Sequence, residues 1–236
     1  KLPKPRTEKI EDLRVAVWPD DEYAEVDSEI SKLIEETAQD LKFAGAKVEI
    51  AKLPFKLQDL DNIFSSLLHP VMIAGTPKDQ LKELDEFAKT VSKDDFSSYA
   101  KIARGVSMLA RDHVVIQAQR EIIRQQWKEF FKKYDVLLCP TCVVPAFKHD
   151  HSNFAERSLL INNKKREYWS NIIWAGPAVM GQLPVTNTPI GLTQLGLPVG
   201  VQVIGPFLED KTTIAASKMI RDLRGGFKTP PNFEKI

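Results

Sequence analysis

The strongest constraint on the fold lies near the start of the chain, where two short apolar runs flank an amphipathic segment of helix length. Leu13 to Trp18 (LRVAVW) has the length of a strand and is closed by the turn residues Pro19, Asp20 and Asp21. Asp27 or Ser28 can cap a following helix, with Ile30, Leu33, Ile34, Ala38 and Leu41 on one face and Lys32, Glu35, Glu36 and Asp40 opposite. Gly45 supplies the stop, and Ala46 to Ala51 (AKVEIA) alternates as a second strand. Strand, helix and strand in this order form a β-α-β unit with a right-handed crossover, so the chain is predicted to be α/β.

The remainder follows the same logic. Residues 55–111 are helical in pattern, with breaks expected at Pro70, at Gly75 to Pro77 and around Lys93 to Asp95. A longer helix over Asp112 to Phe131 places Val115, Ile116, Ile122, Ile123, Trp127 and Phe130 near one stripe. Asp135 to Cys139 (DVLLC) reads as a strand ending at Pro140, and Thr141 to Lys165 as a long irregular loop. Val185 to Pro189 and Val199 to Ile204 are two further strands separated by Gly191, Gly196 and Pro198, before a closing helix from about Glu209 to Leu223.

Composition excludes several classes of function. The 236 residues are 43% hydrophobic and 28% charged, which is globular, and 33 basic against 32 acidic residues leave a net charge of +1. No global field would gather nucleic acid or an anionic membrane, and no apolar run approaches the roughly 20 residues of a transmembrane helix. A small molecule or a protein is the expected partner. Two cysteines cannot build a secreted disulfide framework, so a reduced, cytoplasmic setting is the default.

Few motifs carry chemistry. Cys139-Pro140-Thr141-Cys142 has the spacing of a redox pair, and adding His149 and His151 gives four side chains of zinc-ligand type. The Ser65-Ser66 and Ser97-Ser98 pairs lack the adjacent glycine that aims a serine nucleophile and shapes an oxyanion hole, so helix capping or solvation is expected of them. Asp112-His113 are neighbours that point apart on a helix. No glycine-rich phosphate loop is present, and no cofactor is implied.

Four segments in order, Tyr134 to Thr141 (YDVLLCPT), Trp174 to Gly176 (WAG), Leu183 to Gly191 (LPVTNTPIG) and Gly196 to Pro206 (GLPVGVQVIGP), resemble the C-terminal half of the amidase signature family. Glu209, Asp210 and the helical Lys211 to Met219 follow as in that family, Arg120 to Phe131 is similar to the helix before its YDVLL strand, and Leu13 to Glu49 to its mid-chain unit. Two departures stand out: Cys139 occupies a position where the family often has threonine, and Gly181 is displaced by one place from the usual glycine.

The resemblance implies part of a three-layer α/β/α sandwich with a mixed sheet, residues 1–236 forming one α/β region that an N-terminal half or an oligomeric partner would complete. It also implies amide hydrolysis by a Ser-cisSer-Lys relay in which a lysine acts as base, a bridging serine passes the proton and a second serine attacks the carbonyl. These three residues belong to the family's N-terminal half and have no match here, so the chain beginning at Lys1 is expected to be inactive alone. By position, Thr141, Cys142, Val143, Val144 and Trp174 should line the pocket of a small amide substrate. The rival expectations are a zinc or redox module on Cys139, Cys142, His149 and His151, and a catalytically silent interaction subunit.

Overall fold

The computed structural model describes residues 1–153, 156–231 and 233. The expected β-α-β unit opens the chain. Strand β1 (Arg14–Val17) lies parallel to β2 (Lys47–Ile50), with Val15 opposite Val48, and helix α1 (Ser28–Phe43) connects them. Asp27 caps α1 by accepting from the Glu29 N–H at 2.9 Å, and Gly45 takes the left-handed φ of +99° that ends it. Ile30, Ile34, Ala38 and Leu41 are buried, as their spacing requires.

A helical excursion follows: α2 (Leu57–Met72), α3 (Lys78–Thr90), α4 (Ser98–Val106) and α5 (Ala110–Lys133). Pro70 does not break α2, which runs two residues past it. The proline sits in the last turn, where its ring removes a single backbone hydrogen bond, and Gly105 of α4 lies close against it. In α5 the buried face is Ile123, Trp127, Phe130 and Phe131, whereas Val115 and Ile122, seven residues apart and so on one shared face, are exposed.

The chain returns through β3 (Val136–Pro140), parallel to β1 and buried at every residue. A strand with no exposed face needs cover on both sides of its sheet. Helices α1 and α7 (Asp210–Arg224) pack together on the sheet, while α2, α5 and α6 (Gly176–Gly181) form the second helical group. The stretch expected to be irregular contains a hairpin, β4 (Ser158–Ile161) with β5 (Lys164–Glu167), turned by Asn162 and Asn163 at φ of 48° and 65°. Phe154 and Ala155 of that stretch lie outside the described residues.

Strands β6 (Val185–Leu192) and β7 (Pro198–Ile204) pair antiparallel, and β7 pairs antiparallel with β3. The order β2-β1-β3-β7-β6 is therefore a mixed five-stranded sheet between helical layers, as expected. Its two edges are β2 and β6. Arg6 ties the polar N-terminal lead to this core, gripping Glu209 with Nε and one terminal nitrogen at 2.7 Å each and donating to the carbonyls of Phe131 and Tyr134.

Candidate functional site

The residues expected to line a pocket divide into two groups. Strand β3 ends at Pro140, and the chain then turns away from the sheet beside the first turn of α1. Thr141, Cys142 and Val144 border an open cleft of about 340 Å³, together with Ile30, Asn187 and Val199. Val143 and Trp174 stand behind that wall, both fully buried. Trp174 donates its indole N–H to the Ala24 carbonyl at 3.0 Å and meets Trp18 edge-on at 4.7 Å. It anchors the Tyr168–Ala175 segment to the core and does not border the cleft.

The loop after β3 is held by carboxamide side chains from three different segments. Gln202 of β7 is buried and donates from Nε2 to the carbonyls of Pro140 at 2.6 Å and Trp174 at 2.8 Å. Thr141 donates its hydroxyl to Oδ1 of Asn187 at 2.9 Å, and Asn171 accepts from the Val143 N–H at 3.3 Å. The Val143 carbonyl accepts in turn from the Asp27 N–H at 2.8 Å, joining the loop to the cap of α1. A buried amide whose hydrogens meet two carbonyls is well satisfied, so Gln202 fixes the spacing between the loop and the Trp174 segment.

Asn187, Asn171 and Gln202 do not figure in the sequence-based expectation. The available signal was Gln202 itself, a polar residue inside the apolar run Val199–Ile204, where the cost of burying an unsatisfied amide demands partners.

The zinc or redox arrangement is not formed. Cys139 is fully buried within β3, where desolvation pushes its thiol well above the ordinary range, while His149 and His151 stack on each other in an exposed loop. Among the described residues no group of three or more His, Cys, Asp or Glu side chains is placed to hold a metal ion. Cys142 is a free thiol, half-buried and also raised by desolvation, so little of it is thiolate near neutral pH. The serine pairs have structural roles, Ser97 capping α4 by accepting from the Ala100 N–H and Ser66 donating to the Asn62 carbonyl within α2.

These features define an α/β chain whose half-open mixed sheet presents a cleft at the end of a central strand. The chain belongs to the Amidase family, whose model matches residues 1–214. It is 25% identical over 216 residues to a glutamyl-tRNA(Gln) amidotransferase subunit of Exiguobacterium sp., covering 85% of this chain and 43% of that protein. It is 29% identical over 140 residues to a fatty-acid amide hydrolase 2-A of Danio rerio, covering 57% of this chain and 24% of that one. A crystal structure of an amidase superposes with a TM-score of 0.68 at 20% identity over 94% of this chain and 47% of that one, which shows the fold. The chain thus spans less than half the length of these relatives. No helix among the described residues is long and apolar enough to cross a membrane.

Proposed function

We propose that this chain is the C-terminal part of an amide hydrolase and supplies one wall of its acyl or leaving-group pocket. Thr141, Cys142 and Val144 form that wall, with Val143 and Trp174 supporting it from the core, and the substrate is a small amide. The nucleophilic serine, the bridging serine and the lysine of a Ser-cisSer-Lys relay come from an N-terminal half. The observation that carries this reading is the cleft at the end of β3, walled by a loop held at three points, in a family member that spans less than half of its relatives.

The reading also gives the sheet edges a use. Strand β6 has β7 on one side and no strand on the other among the described residues, and an exposed ladder of backbone groups invites a further strand. We assign that position to the N-terminal half or to an oligomeric partner. The unpaired cysteines are in keeping with a cytoplasmic setting.

The test is to add the N-terminal half to this chain and follow release of an acid from a small amide. The complemented protein should turn over and the chain alone should not, because an unactivated amide needs an activated nucleophile. Cys142→Phe in the complemented protein should raise KM more than it lowers kcat by crowding the cleft. Hydrolysis by this chain alone would overturn the proposal, and complemented protein without turnover would favour a catalytically silent interaction subunit.

A further inference from the structure

A second cavity, of about 220 Å³, lies on the other side of the Tyr168–Ala175 segment and shares no lining residue with the cleft at the end of β3. Its floor is a buried polar cluster. Lys101 of α4 donates to Asp61 Oδ2 of α2 at 2.5 Å and to the Tyr23 hydroxyl at 3.0 Å, while Tyr23 donates to the same Asp61 oxygen at 2.7 Å. Ser65, one turn along α2, reaches the other carboxylate oxygen at 3.3 Å. Phe96, Ile172 and Ile173 supply apolar wall.

Two features of this cluster point to a ligand. First, His69 borders the cavity at 4% exposure, and its Nδ1 has no hydrogen-bond partner among the described residues. A ring nitrogen withdrawn from water without a replacement partner is destabilising, so the position is one that an occupant can satisfy. Second, the charges that line the cavity cancel. Two acidic residues, Asp61 and Glu167, and two basic ones, Lys101 and Arg166, line it; Lys101 pairs with Asp61, Glu167 accepts from Ser98, and Arg166 pairs with Glu25 at 2.9 Å. Burial and the neighbouring Lys101 charge also keep the imidazole towards its neutral form. The lining thus carries no net charge to favour an ionic ligand over a neutral one.

We propose that this cavity is a second binding site, for a small neutral molecule bearing an unsubstituted carboxamide. The amide N–H donates to His69 Nδ1, the amide oxygen accepts the N–H of Lys101 that Asp61 and Tyr23 do not use, and the attached apolar group rests on Phe96 and Ile173. The available volume, about seven waters at roughly 30 Å³ each, limits the ligand to a compact molecule.

The experiment titrates the ¹⁵N-labelled chain with benzamide and, separately, with benzoate and methyl benzoate. Benzamide should shift the indole resonance of Trp169, which lies edge-on to His69, and the amides of α4 around Lys101. Benzoate should bind more weakly because of its charge, and methyl benzoate because it lacks the N–H. His69→Phe should weaken benzamide by about threefold to tenfold, the worth of one neutral hydrogen bond. Ser170→Phe, at a part-buried lining position, should block binding and serves if the His69 variant does not fold. No shift at Trp169 with millimolar benzamide, or equal binding of benzoate, would overturn the proposal. Shifts confined to Thr141 to Val144 would overturn it too, while leaving the amide hydrolase reading intact.

Discussion

Replacing Gln202 by methionine tests whether the loop after β3 is positioned by hydrogen bonds or merely by the chain entering and leaving it. Methionine keeps the length of the side chain and loses both donors, leaving the Pro140 and Trp174 carbonyls each short of a partner. Each loss in a buried setting costs about 1–3 kcal/mol, or about 4 kcal/mol together. Burying a thioether where an amide stood returns about 1 kcal/mol, so the net destabilisation is about 3 kcal/mol. With a urea dependence of about 2 kcal/mol per molar, the unfolding midpoint should fall by about 1.5 M. Cys142, half-buried two residues after Pro140, supplies a local readout. Its alkylation below the unfolding range should accelerate in the variant. A midpoint unchanged within about 0.3 M, with unchanged alkylation, would refute the view that Gln202 holds the loop.

Three further outcomes are expected. Trp174→Ala should cost about 3–5 kcal/mol in chemical denaturation, since it empties a fully buried site beside Trp18, whereas Trp174→Phe should cost less by keeping the packing and losing the bond to Ala24. Gly205→Ala should cost about 1–3 kcal/mol, because the new methyl meets the Thr213 side chain, whose rotamer is pinned by bonds at 2.8 Å to Thr186 and to the Asp210 carbonyl; a neutral result would show that the rotamer is free. His69 faces Lys101 and Asp61 on a cavity also lined by Arg166 and Glu167, and its pKa lies below the ordinary 6.5, mainly through burial. The unfolded chain takes up the proton first as pH falls, so stability present above about pH 6.5 is lost below it. That part of the slope should vanish in His69→Gln, measured by urea midpoints between pH 7 and 5.

Elements that bury a periodic apolar face were legible in the residues alone: β1, α1 with its Asp27 cap, β3, the β6 and β7 pair and α7 all fall within a few residues of their expected spans. The hairpin β4–β5 was not, because Lys164 to Glu167 is polar and exposed throughout and has no alternation to read. Its turn was the usable signal. Two adjacent asparagines tolerate the left-handed backbone that a two-residue hairpin turn demands. Pro70 misled for a different reason: a proline near a helix end removes a single bond, and the contact with Gly105 is a tertiary fact that no local window contains. The candidate site divided in the same way. Of the residues singled out by position along the chain, Thr141, Cys142 and Val144 border the cleft while Val143 is buried, and whether a tryptophan faces a cavity or the core depends on Trp18 and Ala24, far away in sequence.

The string Gly196 to Pro206 carries most of the resemblance, and the structure resolves it into separate physical tasks. Gly196 turns the chain at φ of +77°, and a Cβ there would meet nothing within 4 Å among the described residues beyond its chain neighbours, so its role is conformational. Pro198 occupies the first position of β7, where an absent N–H interrupts little of the ladder. Val199, Val201 and Val203 are buried core residues of the strand. Gln202 spends its amide on the loop after β3 and the Trp174 segment, and Gly205 clears space for α7 to close over Thr186. Pro198 and Val199 themselves border the cleft, and Gln202 reaches it indirectly by holding the loop after β3. The motif is thus mainly a specification for seating β7 between β3 and β6, and it bears on the cleft in two ways, through Pro198 and Val199 on its border and through Gln202, which ties the strand to the loop after β3 and to the Trp174 segment.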